Sequence, residues 1–148
     1  MNDVLTVKVI NKSNNVLPQY ATEGSSGMDL RAQLSEPVIL QPLERMLIPT
    51  GLFIEMPLGL EAQVRPRSGL AVKQGLTCLN SPGTVDSDYR GEIKVLLINL
   101  SNQPQQILHG DRIAQMVFVK IEVASLVLVQ ELTDTVRAAG GFGHTGVQ

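Results

Sequence analysis

The spacing of proline and glycine is the feature that most restricts how this 148-residue chain can fold. Between positions 37 and 104 these residues recur at short intervals, so no long helix can run through this region. The segments between them carry β-branched or alternating apolar residues, which is typical of short strands. Strands are predicted at residues 4–10, 37–40, 46–48, 52–56, 62–64, 93–100 and 113–123. The pattern predicts an all-β sandwich or barrel.

Two segments depart from this pattern. Residues 68–73 predict one short helix, with Ser68 as its N-cap and Gly75 ending it. Residues 93–100 (IKVLLINL) are almost continuously apolar, whereas an antiparallel strand with one solvated face should alternate. This strand is therefore expected either deep in a sandwich or buried by a partner subunit.

The composition changes near the C-terminus. Val136 is the only sizeable aliphatic residue between Asp134 and Val147, and residues 140–146 read GGFGHTG. Such a segment cannot bury enough apolar surface to order itself. We expect one domain, with a core at residues 1–132 and a flexible C-terminal arm at residues 133–148.

Composition also argues against several classes of function. The net charge is −2 without any Lys/Arg run, and aromatic residues make up 3%, which disfavours a nucleic-acid partner. Cys78 is the only cysteine, and His109 and His144 stand alone, so neither a disulfide nor a zinc site is expected. Residues 1–10 lack a signal-peptide pattern and no stretch is long enough to span a membrane, which predicts a cytoplasmic protein without a membrane partner.

Five segments look too specific for packing alone, and two of them precede the middle of the chain. In residues 27–32 (GMDLRA), Asp29 and Arg31 share a strand face, where a surface ion pair is the simplest interpretation. In residues 65–71 (RPRSGLA), a guanidinium, a hydroxyl and free backbone N–H groups meet at a helix start. That arrangement suits phosphate, although a plain helix cap is an equal alternative.

The other three segments follow. Residues 80–92 (NSPGTVDSDYRGE) suggest a hairpin in which Asp86 and Asp88 serve acid–base chemistry or form an ordinary polar turn. In residues 110–117 (GDRIAQMV), Gln115 is a polar residue within an apolar strand and should face a specific partner. The glycine-rich arm begins at Arg137 and lacks the P-loop pattern, so it is either functional or a disordered tail.

Together and in this order, the five segments resemble the five motifs of the homotrimeric dUTPase family, over residues 27–146. The resemblance implies a jelly-roll-like distorted β-barrel with one short helix. It implies Mg²⁺-dependent hydrolysis of dUTP to dUMP and pyrophosphate, which limits uracil in DNA and supplies dUMP for thymidylate synthesis. It also implies a homotrimer in which one chain supplies motifs one, two and four, a second chain supplies motif three, and a third supplies the arm.

The resemblance also implies roles for individual residues. Asp86 resembles the carboxylate that activates the water attacking the α-phosphate, and Tyr89 the floor under the deoxyribose. Asp29 resembles the acid that holds Mg²⁺-bound water, and Gln115 the side chain near the α-phosphate. The remaining substrate-binding positions are Arg67, Ser68 and Gly69 for phosphate; Asn80, Gly83, Thr84 and Val85 for uracil; and Arg137, Phe142, Gly143 and Thr145 for the lid.

Two positions depart from the family pattern, and both are in the arm. Ala138 replaces a usual glycine, and His144 stands where a small hydroxyl residue is usual. Three other interpretations stay open at this point: a dCTP deaminase or bifunctional enzyme of related fold, a dUTP-sensing protein that binds a partner, and a β-sandwich without catalysis.

Overall fold

Two open antiparallel sheets form the body of the protein in the computed structural model, which describes residues 4–146. One sheet has the strand order β1-β4-β8-β6, the other has the order β2-β10-β5-β7, and β3 pairs with β9. The elements in chain order are β1 Lys8–Asn11, β2 Met28–Arg31, β3 Val38–Leu40, β4 Arg45–Glu55, β5 Leu60–Arg65, α1 Ser68–Gln74, β6 Leu76–Cys78, β7 Gly83–Asp86, β8 Ile93–Asn99, β9 Gln105–Ile107 and β10 Arg112–Lys120.

The core lies between the sheets and is aliphatic. Its fully buried side chains include Leu30, Ile48, Leu97 and Ile113. Alternation between buried and more exposed residues is clearest along β5 and in the first half of β8, as one-sided burial requires. The predicted all-β class with one short helix is confirmed, and the arrangement is a distorted jelly roll whose described strands do not close into a barrel.

The surroundings of strand β8 explain why its sequence is almost continuously apolar. Ile93, Val95 and Leu97 are buried in the core, whereas Lys94 is exposed and Leu96 is half-buried on the opposite face. Leu96 pairs with Leu47, which is 56% exposed. The strand therefore lies deep in the sandwich and also presents an apolar outer face.

Strand β4 combines two strands that the sequence predicted separately. Its pairing with β8 shifts register between Pro49 and Leu52, so a bulge accommodates the proline that was expected to end a strand. Thr50 in this bulge is 1% exposed. Its hydroxyl donates to the Ile93 carbonyl and accepts from the Leu52 N–H.

The helix ends as predicted but begins differently. Gly75 adopts the left-handed conformation with φ 64°, which allows its N–H to bond back to the helix. The prediction that Ser68 caps the helix is wrong: Arg67 occupies the N-cap in extended conformation, and no side chain caps the first turn. Among residues 4–146, no helix is both long and apolar enough to cross a membrane.

The chain leaves the sheet after Lys120, three residues earlier than predicted. Residues 121–132 belong to no strand of the described chain. Leu126 and Leu128 in this segment are 96% and 99% exposed. Residues 1–3 of the predicted core and 147–148 of the predicted arm lie outside the described residues.

Candidate active site

The segment that carries Asp86 and Tyr89 borders a cavity of about 430 Å³. The hairpin predicted over residues 80–92 is wrong, because β7 lies in a different sheet from its neighbours in sequence, β6 and β8. Strand β7 pairs with β5 and ends at Asp86, whose carbonyl accepts from the Tyr89 N–H at 3.1 Å and closes a tight turn. Both side chains are exposed to solvent on the cavity side. The lining residues are Leu47, Thr84, Val85, Asp86, Tyr89, Glu92, Ile93 and Lys94.

The four positions predicted for uracil lie on this same segment, in β7 and the turn before it. Thr84 and Val85 line the cavity, while Asn80 and Gly83 form the turn that leads into it. A Cβ at Gly83 would lie 3.1 Å from Nδ2 of Asn80, so glycine allows Asn80 to approach the strand closely.

Four lining residues were missed by the sequence analysis: Leu47, Glu92, Ile93 and Lys94. Leu47 comes from β4, and its position beside β7 results from sheet pairings distant in sequence. Glu92 stood at the end of the third motif without an assigned role. Its carbonyl accepts from the Tyr89 hydroxyl at 3.0 Å, and its Oε1 accepts from the Gly51 N–H at 2.9 Å.

A second group of predicted residues gathers around Asp29, Gln115 and Arg65. These three pair directly across β2, β10 and β5, so they form one row over the sheet. Gln115 is half-buried in this row, between Asp29 on β2 and Arg65 on β5. A cavity of about 230 Å³ beside the row is lined by Gln19, Ala21, Ser25, Ser26, Gly27, Asp29, Arg65, Gln115 and Val117.

Asp29 pairs with two arginines brought from elsewhere in the chain. Its Oδ1 lies 2.9 Å from Nε of Arg67, and its Oδ2 lies 3.5 Å from Nη1 of Arg112. The expected ion pair with Arg31 is wrong, because the Arg31 guanidinium donates to the Gly110 carbonyl instead. Arg112 was not singled out from the sequence; its place in the fourth motif beside Gln115 was the available signal.

The contact between Asp29 and Arg67 leaves hydrogen-bonding capacity unused. Their two facing atoms are within ion-pair distance, yet neither makes an aligned hydrogen bond and both are buried. Ser68 and Gly69 follow Arg67 with exposed, uncapped first-turn N–H groups. This corner therefore offers guanidinium and backbone donors to an anion and a carboxylate to a hydrated cation. No cluster of three His, Cys, Asp or Glu able to hold a metal occurs within residues 4–146.

Within one chain, Asp86 lies far from the row formed by Asp29, Gln115 and Arg65. On β5, Asp86 pairs with Glu61 and Gln115 with Arg65, so four residues separate the two rows along the strand. That spacing is roughly 13 Å, and the two strands flank β5 on opposite sides, which adds roughly 10 Å across the sheet. A single small molecule therefore does not reach the carboxylate of Asp86 and the row of Gln115 through direct contacts within one chain.

The predicted lid residues lie apart from both groups. Phe142 is fully exposed, and Arg137 donates from Nε to the Gly140 carbonyl within the arm. Gly143 and Thr145 line a shallow surface formed by arm residues alone. Ala138 adopts a left-handed φ of 45°, which explains why glycine suits this position better.

A sequence profile of the dUTPase family matches residues 13–146, which is nearly the whole chain. This chain belongs to the dUTPase family. The deoxyuridine 5'-triphosphate nucleotidohydrolase of Cytophaga hutchinsonii is 61% identical over 145 residues, covering 98% of this chain and 94% of that protein. The protein of the same name from Finegoldia magna is 57% identical over 142 residues, covering 96% and 99%.

Solved dUTPase structures share the fold. A variant of the Staphylococcus bacteriophage 80alpha dUTPase with dUpNHpp superposes with a TM-score of 0.85 at 25% identity, covering 96% of this chain and 99% of that one. A phage phi11 dUTPase, described as coordinating a structural Mg(II) ion, has a TM-score of 0.78 at 24% identity over 87% of this chain and 99% of its own. The predicted family is thus confirmed by both sequence and fold.

Proposed function

We propose that this chain hydrolyses dUTP to dUMP and pyrophosphate, as a homotrimer whose active sites combine residues from neighbouring subunits. The observation that carries the assembly is the separation of Asp86 from the row of Asp29 and Gln115 within one chain. The relatives from Cytophaga hutchinsonii and Finegoldia magna are both named deoxyuridine 5'-triphosphate nucleotidohydrolase. The 80alpha dUTPase variant was solved with dUpNHpp, a dUTP analogue. The same reaction would limit uracil in DNA and supply dUMP for thymidylate synthesis.

A trimer also explains two exposed parts of the chain. The apolar side chains of residues 121–132 protrude from the domain, which is unfavourable unless another subunit covers them. The arm beyond them makes its hydrogen bonds within itself, so its Arg137 and Phe142 are available to a different subunit. An arm reaching a neighbour is a common form of subunit exchange.

In the proposed reaction, Asp86 accepts a proton from the water that attacks the α-phosphorus in line. An exposed carboxylate at a strand end is accessible to both water and substrate, and general-base assistance is worth roughly 10²–10⁴-fold. Gln115 on the neighbouring subunit orients the α-phosphate. Arg67, Ser68 and Gly69 bind the phosphate chain through a guanidinium, a hydroxyl and backbone N–H groups, and Arg137 covers its far end.

Mg²⁺ fits the corner formed by Asp29 and the second motif. Asp29 is the one carboxylate among the residues that line this cavity, so it suits a metal held mainly by substrate phosphates and bonded to the protein through water. When bound, Mg²⁺ neutralises phosphate charge and favours departure of pyrophosphate. Arg67 and Arg112 keep the Asp29 carboxylate oriented toward that position.

Specificity for dUTP follows from the cavity beside β7. The backbone between Asn80 and Val85 offers a fixed set of donors and acceptors that matches uracil and leaves cytosine unpaired. The same close fit excludes the methyl group of thymine. Tyr89 lies under the sugar and excludes a 2′-hydroxyl, and Phe142 stacks on the base from the third subunit.

A substrate panel tests the proposal. The protein is incubated with Mg²⁺ and each of dUTP, UTP, dTTP and dCTP, and both pyrophosphate and ammonia are measured. We expect pyrophosphate from dUTP at rates orders of magnitude above those of the other three, and no ammonia. Ammonia from dCTP would instead identify a deaminase. Binding of dUTP without pyrophosphate release would identify a nucleotide-sensing protein; a cytoplasmic location is a separate prediction that cell fractionation tests.

A further inference from the structure

Hydrogen bonds and a close packing contact link the side chain of Tyr89 to the core sheet through Gly91 and Glu92. We propose that Gly91 and Glu92, anchored by the bulge at Thr50 and Gly51, are positioning residues that set discrimination between deoxyribose and ribose. They do so by fixing the position of the Tyr89 ring relative to the sugar site. This inference rests on the proposed function, because it assumes that Tyr89 is the floor of the sugar site.

The first contact is the hydrogen bond of the Tyr89 hydroxyl. It donates to the carbonyl of Glu92 at 3.0 Å, three residues along the chain, which bends the turn back under the ring. Tyr89 is 45% exposed and lines the cavity, so packing alone does not fix its ring. Loss of this bond would leave the ring free to rotate away from the sugar.

The second contact is the close approach of the ring to Gly91. A Cβ at position 91 would lie 2.5 Å from Cζ and 2.8 Å from Cε2 of Tyr89, closer than Cβ atoms approach other heavy atoms. The ring therefore lies directly against the Gly91 backbone. Any side chain at this position would push the ring toward the space that the sugar is to occupy, or break the bond to Glu92.

The third contact joins Glu92 to the core sheet. Glu92 Oε1 accepts from the Gly51 N–H at 2.9 Å, and the neighbouring Ile93 carbonyl accepts from the buried hydroxyl of Thr50. Gly51 has a φ of 72°, and a Cβ there would lie 2.8 Å from that of Ser13, so the bulge itself is tightly defined. The carbonyl that receives the Tyr89 hydroxyl is consequently fixed relative to β4 and β8.

This arrangement has a functional consequence because steric selection depends on small distances. A floor that excludes one oxygen atom must be placed to within a fraction of an ångström, and dense surroundings transmit such displacements. Anchoring the ring to the core sheet provides that precision in a connection between β7 and β8 that is otherwise exposed. Glu92 and Gly91 touch neither the base nor the phosphates in this scheme, so their effect passes through Tyr89.

The test compares kcat/KM for dUTP and UTP in Glu92→Ala, Gly91→Ala and Tyr89→Phe, with Glu92→Gln as the matched control. Gln retains the Oε1 acceptor for Gly51, so it should keep the wild-type ratio. The other three should lower the ratio by about fivefold or more, the lower range of what a steric misfit supplies. The double variant Tyr89→Phe/Glu92→Ala should be no worse than Tyr89→Phe alone, because the two changes break successive links of one chain of contacts between the ring and β4.

A second readout is independent of substrate. The chain has two tyrosines and no tryptophan, so fluorescence of a Tyr20→Phe background reports on Tyr89 alone. Fluorescence anisotropy should fall when Glu92→Ala is added to this background and should stay unchanged with Glu92→Gln. Unchanged anisotropy and an unchanged nucleotide ratio in Glu92→Ala and Gly91→Ala would overturn the inference, even if their melting temperatures fall.

The two proposals fail in different ways. If the wild-type protein releases no pyrophosphate from dUTP, or if Tyr89→Ala leaves the dUTP/UTP ratio unchanged, the proposed function or the sugar-floor role is wrong. If Tyr89→Ala lowers the ratio while Glu92→Ala and Gly91→Ala match the wild type, only the positioning inference is wrong.

Discussion

The surroundings of individual side chains determine which acids of this chain can react. Asp86 lies exposed at the end of β7, beside a cavity and without an ion-pair partner in the described chain. Cys78 is only a few residues earlier in sequence, yet it is 3% exposed and packs in the core. Burial disfavours the thiolate and raises the pKa of Cys78 from 9.0 to about 11. The carboxylate is therefore available for chemistry and the thiol is not.

Replacing Asp86 with Asn should separate binding from catalysis. The substitution keeps the shape of the side chain and removes its basicity, so turnover should fall by about 100-fold or more. Affinity for a non-hydrolysable dUTP analogue should stay near that of the wild type. Asp88→Asn, two residues away on the same turn, is the matched control and should retain most activity. A loss of less than about tenfold in Asp86→Asn would mean that Asp86 is not the base.

Cys78 should make stability depend on pH in the alkaline range. The unfolded thiol ionises near 9.0 and the folded thiol near 11, so the folded state keeps its proton while the unfolded state loses it. The contribution is therefore fully present below pH 9 and is lost as pH rises toward 11. The free energy of unfolding should fall more steeply between these pH values in the wild type than in Cys78→Ala. Equal slopes in urea titrations of the two proteins would contradict this.

At the scale of elements, the central strands of the sandwich differ sharply from the arm in how they are held. Strands β4 and β8 hold the centre of one sheet through a long antiparallel pairing, while the arm is held by bonds among its own residues. None of the arm residues up to Gly146 belongs to the apolar core. An element with so few tertiary contacts is free to close over a bound ligand.

Removing all residues after Val136 should abolish most activity and leave the domain folded. Arg137 and Phe142 are the removed groups that contact substrate in the proposed site, while the core residues are all retained. The melting temperature and the sedimentation behaviour should match those of the full chain. A double substitution, Arg137→Ala/Phe142→Ala, provides the matched control and should lose activity similarly. Unchanged steady-state hydrolysis in the truncated protein would contradict the lid assignment.

At the scale of the whole molecule, many large apolar side chains are exposed on the described chain. Leu47 and Leu96 lie on the outer face of the sheet, and residues 121–132 extend from the end of β10. A large exposed apolar surface usually marks an interface. Assembly would also bring Asp86 of one subunit next to Gln115 of another.

The protein should sediment as a trimer, and mixed trimers should regain activity. Asp86→Asn subunits are combined by co-refolding with subunits truncated after Val136; each parent alone is inactive. If the third motif and the arm come from different subunits, every hybrid trimer contains one intact site and pyrophosphate release returns. Mixing either parent with a chain that carries both changes is the control and should restore nothing. A monomer that is active, or a mixture that stays inactive, would exclude shared sites.

Local sequence determined the kind of secondary structure along most of this chain. Proline and glycine spacing together with alternating apolar residues predicted short strands, because steric limits and one-sided burial act within a few residues. Gly75 predicted the end of the helix for the same reason, since its left-handed φ depends on the residue itself. The order of the five motifs and the composition of the arm were likewise readable from sequence alone.

Tertiary structure decided the rest, because it depends on pairings between distant residues. Pairing with β8 makes one continuous strand, β4, of two segments that were predicted separately. The same pairing brings the Thr50 hydroxyl to the Ile93 carbonyl. Only folding brought Arg67 and Arg112 to Asp29, where the sequence had suggested Arg31. The separation of Asp86 from Gln115 also follows from strand order, which places β7 and β10 on opposite sides of β5. Sequence patterns within a strand fix which residues face inward, but strand order and register fix which of them meet.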